Sequence, residues 1–313
     1  MDFTLNDDQL AVTSELEKLA APFSSSPVDF HGFALVSEEL EEQLAASGFF
    51  ELASMEDMGP ITAALAVERL AQLPYTAEIA LSMLLPVALA SLDNGTELPR
   101  PFAVVENGRP GRFVASAKTV IVIDGDQLGI AHPEAGQTTA LPDSLFAYPM
   151  AKLSSEVPVT PLSSEHGELI KTWLRIANAA EMAGLMKAAI DATVEHVSVR
   201  KQFGRPIGTF QALRHRLAEC TVLAGGVRWL ALKAAWSGDA GDAALAALHG
   251  QESASRIAYD MHQMSGAMGM TLEMDLHLWT YRMKALISEL GGRSAQALAA
   301  GHFTFQHQSY DVA

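Results

Sequence analysis

Residues 200–217 read RKQFGRPIGTFQALRHRL and place five of the chain's 21 Lys and Arg residues within seventeen positions. The chain as a whole carries a formal net charge of −16, so its scarce cations are concentrated here. Around them stand Phe203 and the amides Gln202 and Gln211. An Arg pairs a phosphate through two parallel hydrogen bonds, a ring stacks on a flat heterocycle, and amides fix orientation. That combination suits an adenine-bearing diphosphate. Helix termination accounts for part of the same text. A helix ending at Gln202 wants cations in its last turn, a Gly at positive φ and a Pro soon after, and Arg200, Lys201, Gly204 and Pro206 provide them. Gly208 and Thr209 then suit the cap of the next helix. Capping leaves Phe203 and Gln211 without a reason.

Other reactive side chains form weaker patterns. His215 and His262 have no His-x-x-Glu or similar partner, so they read as packing or hydrogen-bonding residues rather than metal ligands. Met261, Met264, Met268, Met270 and Met274 read as core. The single cysteine, Cys220, excludes a disulfide framework and a Cys-based zinc site, and it points to a reducing compartment such as the cytoplasm. The opening MDFTLNDDQL lacks the cationic head and apolar run of a signal peptide. The most apolar stretch, IALSMLLPVALASL, is interrupted by Pro and Ser, against a membrane span. An acidic chain is poorly suited to nucleic acid, whose phosphates need an excess of cations.

The elements that must position these residues fall into three blocks. Residues 1–97 read as helical, with apolar Leu10, Val12, Leu16 and Leu19 among acids over 8–20, an acid-led helix over 37–46, and further runs after Pro60 and around ALSMLLPVALASL. Residues 98–157 carry short Val-, Ile- and Phe-rich runs at 102–105, 112–115, 119–123 and 127–131. Turn formers at Asn107-Gly108, Pro110-Gly111 and Asp124-Gly125-Asp126 separate them, which predicts a small antiparallel β domain. The stretch LSSEVPVTPLSSEHGE reads as a linker. Residues 158–313 read as a helical bundle, with a long helix from Glu168 to Gln202 and further helices near 209–236, 240–265, 271–289 and 293–302. The predicted class is mainly α with a small β domain.

RKQFGRPIGTFQALRHRLAE closely resembles the R-x-Q-F-G-x-P-[IL]-x-x-F-Q-x-x-x-H-x-L-A signature of the acyl-CoA dehydrogenase family. Downstream, HQMSGAMGMTLEMDLHLW resembles that family's Q-x-x-G-G-x-G-[FY]-T-x-E-x-x-L-x-L-[YW] segment, and MDFTLNDDQLAV resembles its usual start. The resemblance implies an N-terminal helical domain, a middle β domain and a C-terminal four-helix bundle, assembled so that FAD lies between subunits. It assigns Arg200 to the diphosphate of a neighbouring subunit's FAD and Phe203 to the adenosine end, with Gln202 beside it. Gln211 matches the signature's second Gln, which contacts the cofactor, and Gln263, Gly266 and Ala267 match the downstream segment whose backbone approaches the ADP. Ala267 departs from the family's Gly and adds a Cβ there.

The middle of the chain departs further. The family's T-E-P-x-A-G-S-D segment and W-[IV]-[TS] strand, which hold the flavin ring and the thioester, are missing, and the β domain is short. In some members the base that removes the α-proton opens the long helix, where this chain has Leu174; in others it follows the last motif, where Glu289 is the nearest carboxylate. Glu289 is therefore a candidate base, or else a solvated helix-end residue. Losing the ring side while keeping the ADP side implies the reduced subunit of a heteromeric α2β2 enzyme of the steroid-CoA type. A full-length acyl-CoA dehydrogenase subunit would bring the ring pocket and the base. The implied substrate is an acyl-CoA, the cofactor a shared FAD, and the electron acceptor an electron-transfer flavoprotein or similar. A structural or regulatory member without flavin and a self-sufficient enzyme using Glu289 stand as alternatives.

Overall fold

In the computed structural model the described residues are 4–92 and 98–306. Met1–Phe3 at the head of MDFTLNDDQLAV, residues 93–97 at the first expected boundary, and residues 307–313 lie outside them. The N-terminal helices start where their caps dictate. In α1 (Asp7–Ala20), Asn6 accepts from the Gln9 amide while the Gln9 side chain accepts from the Asn6 amide, a reciprocal cap. Ser37 caps α2 (Glu38–Ala46), whose first turn holds the acids that the helix dipole favours. Pro60 sits in the first turn of α3 (Gly59–Ala71), where its missing N–H costs nothing. The apolar run that follows is cut at Pro86 into α4 (Ala80–Leu84) and α5 (Pro86–Leu89).

Seven short strands follow: β1 (Phe102–Glu106), β2 (Gly111–Arg112), β3 (Thr119–Asp124), β4 (Gln127–Ala131), β5 (Thr138–Ala140), β6 (Met150–Leu153) and β7 (Val159–Pro161). They form a four-stranded sheet in the order β1-β3-β4-β7 and a three-stranded sheet in the order β2-β6-β5. The expectation of a purely antiparallel region is corrected, because β1 pairs parallel with β3. The chain leaves β1, crosses to the second sheet through β2, and returns. Gly111 permits that crossing: a Cβ there would lie 2.2 Å from the Val104 carbonyl oxygen. The run expected at 112–115 stops after Arg112, since Phe113 turns into the left-handed region at φ +61°. The stretch read as a linker instead supplies β7 and Ser163, the cap of the next helix.

That helix, α6 (Ser164–Val199), is 36 residues and about 54 Å long at 1.5 Å per residue. Its first half packs against α3–α5 and the four-stranded sheet, and its second half against the helices that follow. These are α7 (Gln211–Ser237), α8 (Ala240–Ser265), α9 (Leu276–Ile287) and α10 (Gly292–Gln306). Gly238 ends α7 at φ +61°, and Asp239 caps α8 at once. One long helix thus carries the N-terminal helices, the sheets and the bundle. No helix among the described residues is long and apolar enough to cross a membrane.

Candidate functional site

The cationic motif folds into a joint between α6 and α7. Arg200 ends α6 in extended backbone, donating its amide to the His196 carbonyl. The chain then forms a hairpin, β8 (Lys201–Gln202) against β9 (Arg205–Pro206), whose two turn residues are Phe203 and Gly204 at φ +53° and +80°. Positive φ at both turn positions is the mark of a type I′ two-residue hairpin. Gly204 therefore serves the hairpin rather than a helix cap. Thr209 likewise does not cap α7; its hydroxyl donates back to Pro206 within a 3₁₀ turn (207–209). The hairpin forces Phe203 outward until it is 90% exposed, with its ring edge-on to Phe210 at 5.9 Å between centroids.

Phe203, Ile207, Phe210, Leu213 and Arg216 form one side of a hollow of about 600 Å³, and Gln263 and Met264 at the end of α8 complete it. Two segments sixty residues apart are thereby brought to one place. Met264 belongs to the buried core, as the Met pattern implied, whereas Met270 is exposed. Gly266 terminates α8 at φ +59°, ψ −139°, a conformation reserved for Gly, and the exposed Ala267 follows in helical backbone. His262 ties this segment down: its Nδ1 lies 2.7 Å from the Gly269 carbonyl and its Nε2 2.8 Å from the Thr280 hydroxyl. Burial pushes its pKa down, and the hydrogen bond to the Gly269 carbonyl opposes that shift. Arg200, Gln202 and Gln211 are exposed around the joint but do not line the hollow, and the Gln202 amide donates to the Lys201 carbonyl. Among the described residues no cluster of His, Cys, Asp or Glu has the arrangement of a metal site.

Glu289 lies elsewhere, where the sheets meet the bundle, and it is not a solvated helix end. One carboxylate oxygen accepts from Arg112 Nε at 2.7 Å and the other from Asn178 Nδ2 at 3.2 Å. Residues 290–292 all have positive φ, and this bend is fastened by the Glu106 carboxylate, which accepts from the Leu290 and Gly291 amides. Gln251 and Gln296 hold the Glu289 and Leu290 carbonyls. Arg112 also reaches Glu181, which accepts from Tyr148 Oη at 2.7 Å. Arg282 packs over the Tyr148 ring and donates to the carbonyls of Leu73, Pro74 and Tyr75. Burial raises the Glu289 pKa, and the Arg112 charge opposes the rise. Both carboxylate oxygens are thus engaged, and a guanidinium stands beside them. Leu174, at the other base position, is buried in the core.

The sequence alone does not join Arg112, Tyr148, Glu181 and Arg282 into a group. They come from β2, the loop before β6, α6 and α9, and no local pattern in the sequence links them. The space they leave is small: about 20 Å³ beside Tyr148, Glu181 and Arg282, and about 210 Å³ beside Glu289.

Comparison with known proteins gives these positions a context. Residues 172–297 match the family described as acyl-CoA dehydrogenase, C-terminal domain. The chain is 31% identical to acyl-CoA dehydrogenase FadE34 of Mycobacterium tuberculosis over 215 residues, which are 64% of this chain and 30% of that protein. It is 37% identical to acyl-CoA dehydrogenase IpdE2 of the same organism over 133 residues, 42% of this chain and 41% of that protein. The matched regions thus span less than half of either relative. Among solved structures, the Tcur3481-Tcur3483 steroid ACAD variant aligns over 97% of this chain and 99% of its own, with a TM-score of 0.78 at 18% identity. The ChsE4-ChsE5 complex from Mycobacterium tuberculosis aligns over 99% of this chain and 100% of its own, with a TM-score of 0.76 at 18% identity. The fold is that of the acyl-CoA dehydrogenases: helices, a small β region and a helical C-terminal part.

Proposed function

We propose that this chain is an acyl-CoA dehydrogenase-family subunit of a heteromeric, FAD-dependent enzyme, in which it closes the ADP side of a longer partner's flavin site. The observation that carries the reading is the meeting of Phe203 and Gln263 in one hollow. At about 600 Å³ that hollow lies within the range of about 300–1,000 Å³ typical of ligand sites. Its aromatic and aliphatic walls with one cation and one amide fit an adenine diphosphate. Phe203 offers the stacking face and Gln263 an orienting amide. Arg200, Gln202 and Gln211 are exposed at the joint beside it, the Arg200 carbonyl accepting from the amide of the lining Ile207, and Gly266 and Ala267 follow Gln263 in the chain. On this reading the ring side belongs to the partner. Spaces of about 20 and 210 Å³ fall short of that range, and buried charges fill the junction between them.

FAD, when bound, supplies the hydride acceptor for α,β-dehydrogenation of an acyl-CoA thioester. On this reading the chain itself binds and orients the adenine end, while the partner provides the ring pocket and the base that takes the α-proton. The division into 1–97, 98–157 and 158–313 goes with it, the middle part having given up the ring. Steroid-derived thioesters are the substrate class we favour, because one structural neighbour is named a steroid ACAD. An α2β2 heterotetramer passing electrons to an electron-transfer flavoprotein or similar acceptor completes the proposal.

Flavin absorbance per protomer tests it. The chain purified alone should carry no flavin, and the chain co-purified with a full-length family member should carry about one FAD per pair. One FAD per protomer of the chain alone would overturn the proposal.

A further inference from the structure

The outward side of α7 carries an apolar seam that the hollow does not use. His215, Ala218, Val222, Gly225, Trp229 and Trp236 follow one another at intervals of three, four, three, four and seven residues. That is the seven-residue repeat of a helix that packs along another helix. Leu232, which completes the repeat, is buried in the core shared with the N-terminal helices. The rest of the seam is open to solvent. Val222 is 74% exposed, Trp236 57% and Trp229 48%, and a Cβ on Gly225 would meet nothing within 4 Å. Leu213 and Arg216, which line the hollow, leave α7 on a different side, since successive residues turn by about 100°.

Size and charge are unevenly placed along this seam. Its first half is small or slender, with Ala218, Val222 and Gly225, and its second half holds both indoles. Arg214, His215 and Arg216 stand near the start of α7, whose first turn holds no acid, although the helix dipole disfavours cations there. Arg216 faces Asp260, whereas among the described residues no ion pair takes up Arg214. At the other end stand the carbonyls of the last turn and the exposed Asp239.

An antiparallel copy of α7 offers each half what it lacks. About a two-fold axis beside Gly225, Trp229 falls against Val222 of the second copy and Trp236 against its His215, so bulk meets slender or small residues. Arg214 falls beside the negative end of the second helix and its Asp239. A parallel copy would set indole on indole and cation on cation. We propose that the α7 seam is the contact between two antiparallel copies of this chain. Trp229 and Trp236 are its anchors, Trp being enriched where interface energy concentrates. The proposal does not rest on the flavin reading; in an α2β2 assembly it names the surface that joins the two copies of this chain.

Sedimentation of the full chain over a concentration series tests this. Wild type should dimerise at micromolar concentration. Trp229→Glu and Trp236→Glu should each raise the dissociation constant about a hundredfold to a thousandfold, because each change occurs twice in the dimer. Both positions are exposed enough that the helical circular dichroism should stay unchanged. Mild oxidation of a mixture of His215→Cys and Trp236→Cys chains should give a cross-linked pair. Either variant alone should not, its two thiols standing about 30 Å apart across the dimer; the native Cys220 is buried and does not compete. A wild-type chain that stays monomeric, or cross-linking within one variant instead of in the mixture, overturns the proposal. So does a monomeric chain whose Trp229→Glu variant fails to co-purify with a full-length family member, which would give the seam to that partner. None of these readouts involves flavin, so the shared-FAD proposal can fail while this one stands, and the reverse.

Discussion

A single nitrogen of Arg112, Nη1, reaches both carboxylate oxygens of Glu181, at 2.9 and 2.7 Å, with the two side chains only 9% and 10% exposed. Arg112 belongs to the small sheet and Glu181 to the middle of α6, so the pair joins sheet to bundle. Tyr148 and Glu289 extend it, and Arg282 carries the link to the carbonyls of residues 73–75. All three blocks of the sequence meet at this cluster. A buried pair adds little net stability over an apolar filling, yet it is costly to break, since the remaining charge is stranded.

Removing one member should therefore be expensive. Arg112→Met leaves Glu181 and Glu289 facing each other in the interior and should cost about 3–5 kcal/mol in urea denaturation. Glu181→Leu leaves Arg112 paired with Glu289 and should cost less, chiefly through the buried Tyr148 hydroxyl left without its acceptor. The double replacement should cost clearly less than the sum of the two. Additive losses would mean that the residues act independently and that the junction is held by packing alone.

A second carboxylate gives a prediction in pH. Glu78 is buried, and its oxygens accept from the amides of Leu81 and Phe102 and from the Ser82 hydroxyl. Burial raises its pKa, with the Ser82 hydroxyl and the Phe102 amide opposing. A folded-state pKa above the unfolded one means that the folded chain holds the proton more tightly. The contribution is fully present below the unfolded carboxylate pKa and is lost as pH rises through the folded value. Wild type should thus gain stability relative to Glu78→Gln as pH falls from 7 towards the ordinary carboxylate range. Denaturation of both proteins along that series measures it; a difference that does not change with pH contradicts it.

Two helical glycines should respond with opposite signs. A Cβ on Gly184 in α6 would stand 2.1 Å from the Glu68 carbonyl oxygen and 2.8 Å from Ala71 Cβ, which marks the closest approach of α3 to α6. Gly184→Ala should cost about 1–3 kcal/mol by overpacking, despite alanine's better helix propensity. Gly225 in α7 has nothing within 4 Å of such a Cβ. Gly225→Ala should therefore raise stability by about 0.5–1 kcal/mol. Thermal or urea melts of the two variants decide the matter, and equal signs would contradict the helix spacing.

The contrast between these sites and the motif shows what the sequence carried. Helices were legible because caps and apolar spacing are local: Asn6, Ser37, Pro60 and Asp239 each mark a boundary within a few residues. The motif residues were legible by type. Their arrangement was not, since the same Gly-Pro text suits a helix cap and a two-residue hairpin, and only the pairing of Lys201–Gln202 with Arg205–Pro206 distinguishes them. The charge cluster was hidden for another reason. Arg112, Glu181 and Glu289 are separated by 69 and 108 positions, and each alone reads as an ordinary surface charge. The parallel pairing of β1 with β3 likewise depends on the detour through β2, which no local pattern announces.

Phe203 offers a prediction in which stability and binding part company. A bulky residue at φ +53° is strained, at a cost of about 1–2 kcal/mol. Its ring is almost fully exposed and returns little by burial, apart from the edge contact with Phe210. Phe203→Gly relieves the backbone strain, partly offset by about 0.5–1 kcal/mol of glycine chain entropy. The variant should be as stable as wild type or slightly more so. Its affinity for ADP should fall, because base stacking on an aromatic ring is worth about 1–3 kcal/mol. Phe203→Ala keeps the strain and loses the ring, so it should be the less stable of the two variants with a similar loss in affinity. Melting curves beside ADP titrations of wild type and both variants make the comparison. Loss of stability in Phe203→Gly, or undiminished ADP binding in either variant, would show that the ring is held out by packing rather than for a ligand.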